Sequence, residues 1–355
     1  MWPNTMLTKK LNIQIPIIQA PMAGGVTSAS LIANVSKAGG LGSLGAAYLS
    51  PQDMQKTIQD IRKKTDNPFA VNLFIPQSFE VSTEKIAAMA KIIQKICPEL
   101  NLPLPSIEPP YIPSFDQQFE IILAENIPIL SFIFGSLSNQ HITLCKQKGI
   151  VLIGTATTLI EAQTLEQQGI DIIVAQGAEA GGHRGSFQNN AQEESLSTSA
   201  LLLQLTQHIH KPIVAAGGIM QASDIVTMIT NGAAGVQMGS AFLCCEGSLI
   251  APAYRKILLN AKKDLTVLTR AFSGRIARGI RNQFIDRMTP FEQDILPFPV
   301  QNAITSMMRQ QAKKQDNAEF MSLWAGQRAF LCKAHHEGKF IETLHQEVVS
   351  LLKQL

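Results

Sequence analysis

The chain has 355 residues, 45% of them hydrophobic and 16% charged, and its 30 basic against 27 acidic side chains leave a formal net charge of +3. That composition describes a well-packed globular protein, excludes a fibre or a disordered tail, and offers no concentrated basic face for nucleic acid. No run reaches the ~18 apolar residues of a membrane span. The N-terminus lacks the apolar core of a signal peptide. The five cysteines, Cys97, Cys145, Cys244, Cys245 and Cys332, are odd in number and scattered, which argues against a disulfide scaffold or a thiolate metal site and for a reducing, cytoplasmic compartment.

Eight short runs rich in Ile, Val and Leu follow one another along the chain: 15–22, 40–46, 69–75, 127–135, 149–156, 170–177, 211–219 and 233–243. They are apolar on both faces, as strands of a parallel sheet covered by helices are. Amphipathic segments lie between them. The stretch after the first run starts at Ser28. The next has Ser50 as N-cap and Pro51 in the first turn, and later ones begin near Ser138 and end at Gly169, the start and stop signals of helices. Eight β–α units predict an α/β fold, a (β/α)8 TIM barrel.

Two stretches depart from the alternation. A helix is expected at about 82–97, followed by a proline-rich loop through Asp116, and residues 245–317 do not return to the barrel with a single helix. The expected organisation is a barrel domain over 1–244 and 318–355, with 245–317 as an additional α-helical segment over the barrel mouth.

Ligands of such barrels bind at the carboxyl ends of the strands. Those ends carry Ala20-Pro21-Met22 after the first run, Asn72 inside the third, Gln176 with Gly181, Gly182 and His183 after the sixth, Gly217-Gly218 after the seventh and Gln237-Met238-Gly239-Ser240 on the eighth. Glycines at two consecutive strand ends expose backbone N–H groups suited to a phosphate, although they also suit close strand–helix packing. Asn72 and Gln176 are amides in apolar strands; each either pairs with backbone or meets the polar edge of a planar heteroaromatic ring, and beside a phosphate site the ring is favoured. His183 is a candidate general base or hydrogen-bond donor. His208 and His210 read as surface positions without a metal, and His335, His336 and His345 as solvated residues of a C-terminal helix. Arg184 is left between steering an anion and bracing its loop.

The segments "PIIQAPMAGG", "VNLF", "IVAQGAEAGGHRG", "PIVAAGGI" and "GVQMGSAFL", followed by "TRAFSGRIARGIRNQF", "LPFPVQNAIT" and "SLWAGQ", together resemble the nitronate monooxygenases, also called 2-nitropropane dioxygenases, and within them the bacterial class I type. The resemblance implies an FMN-dependent oxidoreductase that converts alkyl nitronates such as propionate 3-nitronate, with O2, to a carbonyl compound and nitrite. It implies FMN contacts from Asn72, Gln176, Gly181, Gly218 and Gln237 to Ser240, an isoalloxazine bordered by Ala20, Pro21 and Met22, and His183 at the catalytic position. Tyr111, Tyr254 and Phe298 are the expected substrate neighbours; at Phe298 family members often carry a tyrosine. The implied partners are a small nitronate or nitroalkane and O2, for a monomer or homodimer with no nucleic acid or membrane partner. The alternative is an NAD(P)H-dependent FMN reductase of the same superfamily, an enoyl-ACP reductase of the second type or an NADH:quinone reductase. A non-catalytic flavin-binding protein and a flavin-free phosphosugar barrel complete the set.

Overall fold

The computed structural model describes residues 2–103, 108–187 and 195–354, so residues 104–107 of the expected proline-rich loop lie outside the described residues. Eleven strands are described, in chain order: β1 Ile17–Gln19, β2 Gly42–Gly45, β3 Phe69–Phe74, β4 Ile129–Ile133, β5 Val151–Ala156, β6 Ile172–Gln176, β7 Gly182–His183, β8 Ile213–Ala216, β9 Gly235–Met238, β10 Thr266–Thr269 and β11 Ala277–Ile280. Eight of them form a parallel sheet in the order β1-β9-β8-β6-β5-β4-β3-β2. Between its two ends Ile18 bridges Leu41 in parallel. The Leu41 N–H donates to the Ile17 carbonyl and the Gln19 N–H to that of Leu41, both at 2.9 Å. The sheet is thereby a closed (β/α)8 barrel.

Burial on both strand faces follows from the sequence. Alternate residues such as Ile18, Ala70, Ile129, Ile153, Ile172 and Val214 fill the barrel interior together with Leu7 and Leu11 of the N-terminal helix Met6–Leu11. That helix plugs the interior from the amino-terminal side, and Gly235 leaves room for it, since a Cβ there would meet Leu7 Cδ2 at 2.3 Å. The opposite strand faces pack under the surrounding helices, which begin where the sequence signals place them. Ser28, Ser50, Ser82 and Ser138 each accept from the backbone amide three residues on, starting helices Ala29–Lys37, Pro51–Arg62, Thr83–Ile96 and Asn139–Gln147.

Residues 245–317 do contain helices, Pro252–Asn260, Gln283–Met288, Val300–Ile304 and Ser306–Lys314 among them. They also contain the hairpin β10–β11, where the sequence predicts helix alone. Strand β11 pairs antiparallel with β7, with Ala277 opposite His183 and Arg278 opposite Gly182. The glycine loop after β6 is therefore the third strand of a small sheet whose other strands lie about 90 residues away. The C-terminal part also divides differently from expectation. Helix Glu337–Leu352 packs on the barrel flank against Ala29–Lys37 and Ala222–Thr230, whereas residues 322–328 run along the mouth, with Trp324 bridging Gly279. No helix among the described residues is long and apolar enough to cross a membrane.

Candidate active site

A cavity opens at the carboxyl ends of the barrel strands and holds about 1330 Å3 of empty space, its open mouth included. Its wall includes all twelve positions that the strand ends suggested for a cofactor, from Ala20 to Ser240, together with His183 and Tyr254.

At one end the loops after β8 and β9 face each other. Gly217 and Gly218 have φ of +124° and +68°, a backbone that side-chain-bearing residues rarely adopt. Asp224 holds this turn by accepting from the Met220 and Gln221 amides, and its other oxygen accepts from Arg328 at 2.5 Å. The same Arg328 nitrogen donates to the Gly218 carbonyl at 3.2 Å, and the side chain lines the cavity. The amides of Gly218, Gly239 and Ser240 have no hydrogen-bond acceptor among the described residues.

Deeper in the cavity, Asn72 Nδ2 donates to Ser131 Oγ at 3.0 Å, and its oxygen keeps its acceptor capacity toward the cavity. Gln176 borders the same space, yet both ends of its amide serve the loop beyond it: Nε2 donates to the His183 carbonyl at 3.0 Å and Oε1 accepts from the Gly185 amide at 2.7 Å. Its bracing role is direct, and each amide atom retains a second hydrogen-bonding position. Gly181 fulfils a steric need that differs from close approach to a ligand. A Cβ there would meet the Ala325 carbonyl carbon and the Gly326 nitrogen at 2.4 Å, so the missing side chain admits the C-terminal segment.

His183 is half-buried, with Phe74, Phe134, Phe298 and Trp324 around it at centroid distances of 5.5 to 6.3 Å. Its Nε2 lies 2.8 Å from Ser273 Oγ, a buried hydroxyl within the turn that joins β10 to β11. Nδ1 has no hydrogen-bond partner among the described residues, which leaves it for a ligand. Burial among rings, and then the nearby Arg275 and Arg309 guanidiniums, push the imidazole pKa down to about 3. The ring is neutral at ordinary pH, so it can donate one proton or accept one but does not carry a positive charge. Ser273 Oγ is also 3.2 Å from the Arg275 carbonyl. If the hydroxyl proton points to Nε2, Nδ1 carries the imidazole proton and is a donor; if it points to that carbonyl, Nδ1 is a base.

The matching family model is that of nitronate monooxygenase, and it covers residues 4–347. The chain belongs to the nitronate monooxygenase family. Curated relatives named "probable nitronate monooxygenase" are similar to it: one from Staphylococcus haemolyticus is 40% identical, and one from Staphylococcus aureus strain Newman 38%, each with 99% of both chains covered. Among solved structures, nitroalkane oxidase from Streptomyces ansochromogenes superposes with a TM-score of 0.90 at 32% identity over 98% of this chain and 99% of that one. FabK from Thermotoga maritima superposes at 0.78 with 26% identity over 99% and 98%. The chain is thus an oxidoreductase of this family.

Within this family member, three side chains expected near the substrate have different surroundings. Tyr254 borders the cavity, but its hydroxyl donates to the Trp324 carbonyl at 2.6 Å and so fixes the C-terminal segment. Phe298 stands behind the wall, packed on Phe74 and Phe134. Tyr111 is not brought to the cavity; its ring packs against Phe79 at 5.8 Å. Arg184 reaches the Thr157 carbonyl at 3.4 Å and braces the loop. His208 and His210 are exposed as expected, whereas His335 stacks on Phe340 and His345 accepts from Trp2. Sequence reasoning missed Tyr48, Ser273, Trp324 and Arg328. A tyrosine directly after the second strand run was the one available signal among them; the other three come from segments with no strand-end pattern.

Proposed function

We propose that this chain is an FMN-dependent nitronate monooxygenase that oxidises alkyl nitronates with O2 to a carbonyl compound and nitrite. The single observation that carries the reading is a neutral histidine with an open Nδ1, enclosed by aromatic rings, above a cavity whose far end presents unpaired amides.

The residues fit FMN. The Gly218, Gly239 and Ser240 amides and the Arg328 guanidinium suit a terminal phosphate, and Asn72 and Gln176 offer hydrogen bonds to the edge of a ring system beside Ala20, Pro21 and Met22. When bound, FMN supplies the electron-transfer and oxygen chemistry. The protein contributes binding, orientation and exclusion of water. His183 Nδ1–H donates to a nitronate oxygen, with Ser273 holding Nε2 as acceptor. In the other tautomer Nδ1 accepts the α-proton of a neutral nitroalkane. Phe74 and Trp324 wall the site, and the dry surroundings strengthen each polar contact.

The test is an absorbance spectrum of the purified protein followed by an aerobic nitrite assay with propionate 3-nitronate. The expected outcome is a yellow protein that releases nitrite, with His183→Ala lowering kcat/KM by about 100-fold or more. Rapid bleaching of the flavin by NADH, with nitronate inert, would overturn the assignment in favour of the reductase.

A further inference from the structure

Inside the barrel, Ala70, Ile129, Ile153 and Ile172 of β3 to β6 belong to one apolar layer. Side chains alternate across a strand, so the residues two positions on, Asn72, Ser131, Thr155 and Val174, share that inward face. All four line the cavity, where they form its floor. Layers of a barrel interior are ordinarily filled by branched apolar side chains. In this one, three of the four are polar although each is buried.

These groups are only partly spent on one another. Asn72 Nδ2 donates to Ser131 Oγ at 3.0 Å, and the Ser131 O–H itself donates to nothing among the described residues. Asn72 Oδ1 and the Thr155 hydroxyl likewise have no partner there, and neither oxygen is sealed from a water-sized molecule as that of Tyr48 is. Packing turns the threonine: a Cβ at Gly185 would meet Thr155 Cγ2 at 2.9 Å, so the methyl lies against the loop after β7 and the hydroxyl is left to the cavity. Water can meet such groups while the cavity is open. A ring that enters and expels the water must supply the same bonds, or each group is left unmet at its full desolvation cost. Two open hydroxyl donors beside an amide acceptor complement an imide edge, in which two carbonyls flank one N–H. The pyrimidine ring of a flavin carries that edge.

We propose that Ser131 and Thr155 are cofactor-binding residues whose hydroxyls donate to a carbonyl oxygen of the flavin's imide edge while Asn72 Oδ1 accepts its N–H. The proposal rests on the flavin reading of the cavity and adds to it two contacts that the family resemblance does not imply.

The probes are FMN and its 2-thio and 4-thio analogues, in which a thiocarbonyl, a poor acceptor, replaces one imide carbonyl at a time. FMN affinity is read from the fluorescence released when the flavin-loaded protein is diluted, and that of each analogue from its displacement of FMN. Thr155→Val keeps the shape and the strand propensity of the side chain, and should weaken FMN about fivefold, the loss of one neutral hydrogen bond. Thr155→Ser should restore affinity to within about twofold, and Ser131→Ala should weaken FMN by a factor similar to that of Thr155→Val. For the analogue that lacks the receiving carbonyl, Thr155→Val should cost less than about twofold, because the bond it removes is already poor. A merely structural threonine would give the same loss for FMN and both analogues, and that result overturns the proposal. FMN affinity unchanged in both Thr155→Val and Ser131→Ala overturns it as well. In either case a wild type that holds FMN leaves the flavin reading standing, whereas a wild type that holds no flavin removes that reading and the proposal together.

Discussion

The imidazole of His183 is shielded by four aromatic rings and feels the charges of Arg275 and Arg309, and both conditions disfavour its cation. With a folded pKa near 3 against an ordinary value of 6.5, the unfolded chain takes up this proton first as pH falls. Stability from this group is therefore complete above about 6.5 and declines progressively from there toward pH 3. Two outcomes follow from that sign. A kcat/KM profile for preformed ethyl nitronate between pH 5 and 8 should show no limb from His183, and a limb near 6.5 that vanishes in His183→Asn would contradict the neutral ring. In the same variant the fall of thermal midpoint with acid, below pH ~6.5, should be shallower than in wild type. At this scale the sequence was informative about residue type and uninformative about partners. A glycine-flanked histidine at a strand end is visible to the eye; a serine 90 residues on that holds its Nε2 is not.

Strands and helices of the barrel were legible because their signals are local: paired apolar faces, serine N-caps and terminal glycines. The hairpin β10–β11 was not, because its four-residue strands carry Arg278 and an exposed Leu268, and β11 completes its pairing on β7, a distant strand only two residues long. The stretch 322–328, expected with the barrel, instead crosses the mouth and puts Arg328 beside Gly218. Its position depends on Gly181, where any side chain would collide with Ala325, and on the Gly326 amide, which donates to Ser240 Oγ at 2.9 Å. If Arg328 meets a cofactor phosphate, Arg328→Met should weaken FMN by roughly 10- to 100-fold, as loss of a charge-assisted contact does, and leave riboflavin within about twofold. Flavin fluorescence quenching measures both constants. Equal weakening of the two flavins would mean that Arg328 serves only to tie this segment to Asp224.

Closing a barrel requires its first and last units to meet, and here the junction is fastened by a carboxylate from the far end of the chain. Glu337 is 1% exposed at the start of the C-terminal helix. Its Oε1 accepts from Asn34 Nδ2 at 2.7 Å, on the helix between β1 and β2, and its Oε2 from the Gly247 amide at 3.2 Å, just beyond β9. One side chain thus joins the C-terminus to both sides of the seam where β9, β1 and β2 come together. Nothing local in the sequence marks it, since a glutamate in the first turn of an amphipathic helix ordinarily faces water. Truncation to Glu337→Ala leaves two inward donors without an acceptor and should cost about 2–4 kcal/mol. With an unfolding entropy of ~2.1 cal/mol/K per residue over a chain of this length, that corresponds to a fall in Tm of roughly 3–5 °C. Glu337→Gln keeps one acceptor oxygen and should lose less. Scanning calorimetry of the flavin-loaded protein measures both, and the visible flavin band at 20 °C should persist in each, because Glu337 does not line the cavity. A Tm unchanged in Glu337→Ala would show that helix packing against Ala29–Lys37 and Ala222–Thr230 closes the barrel without this carboxylate.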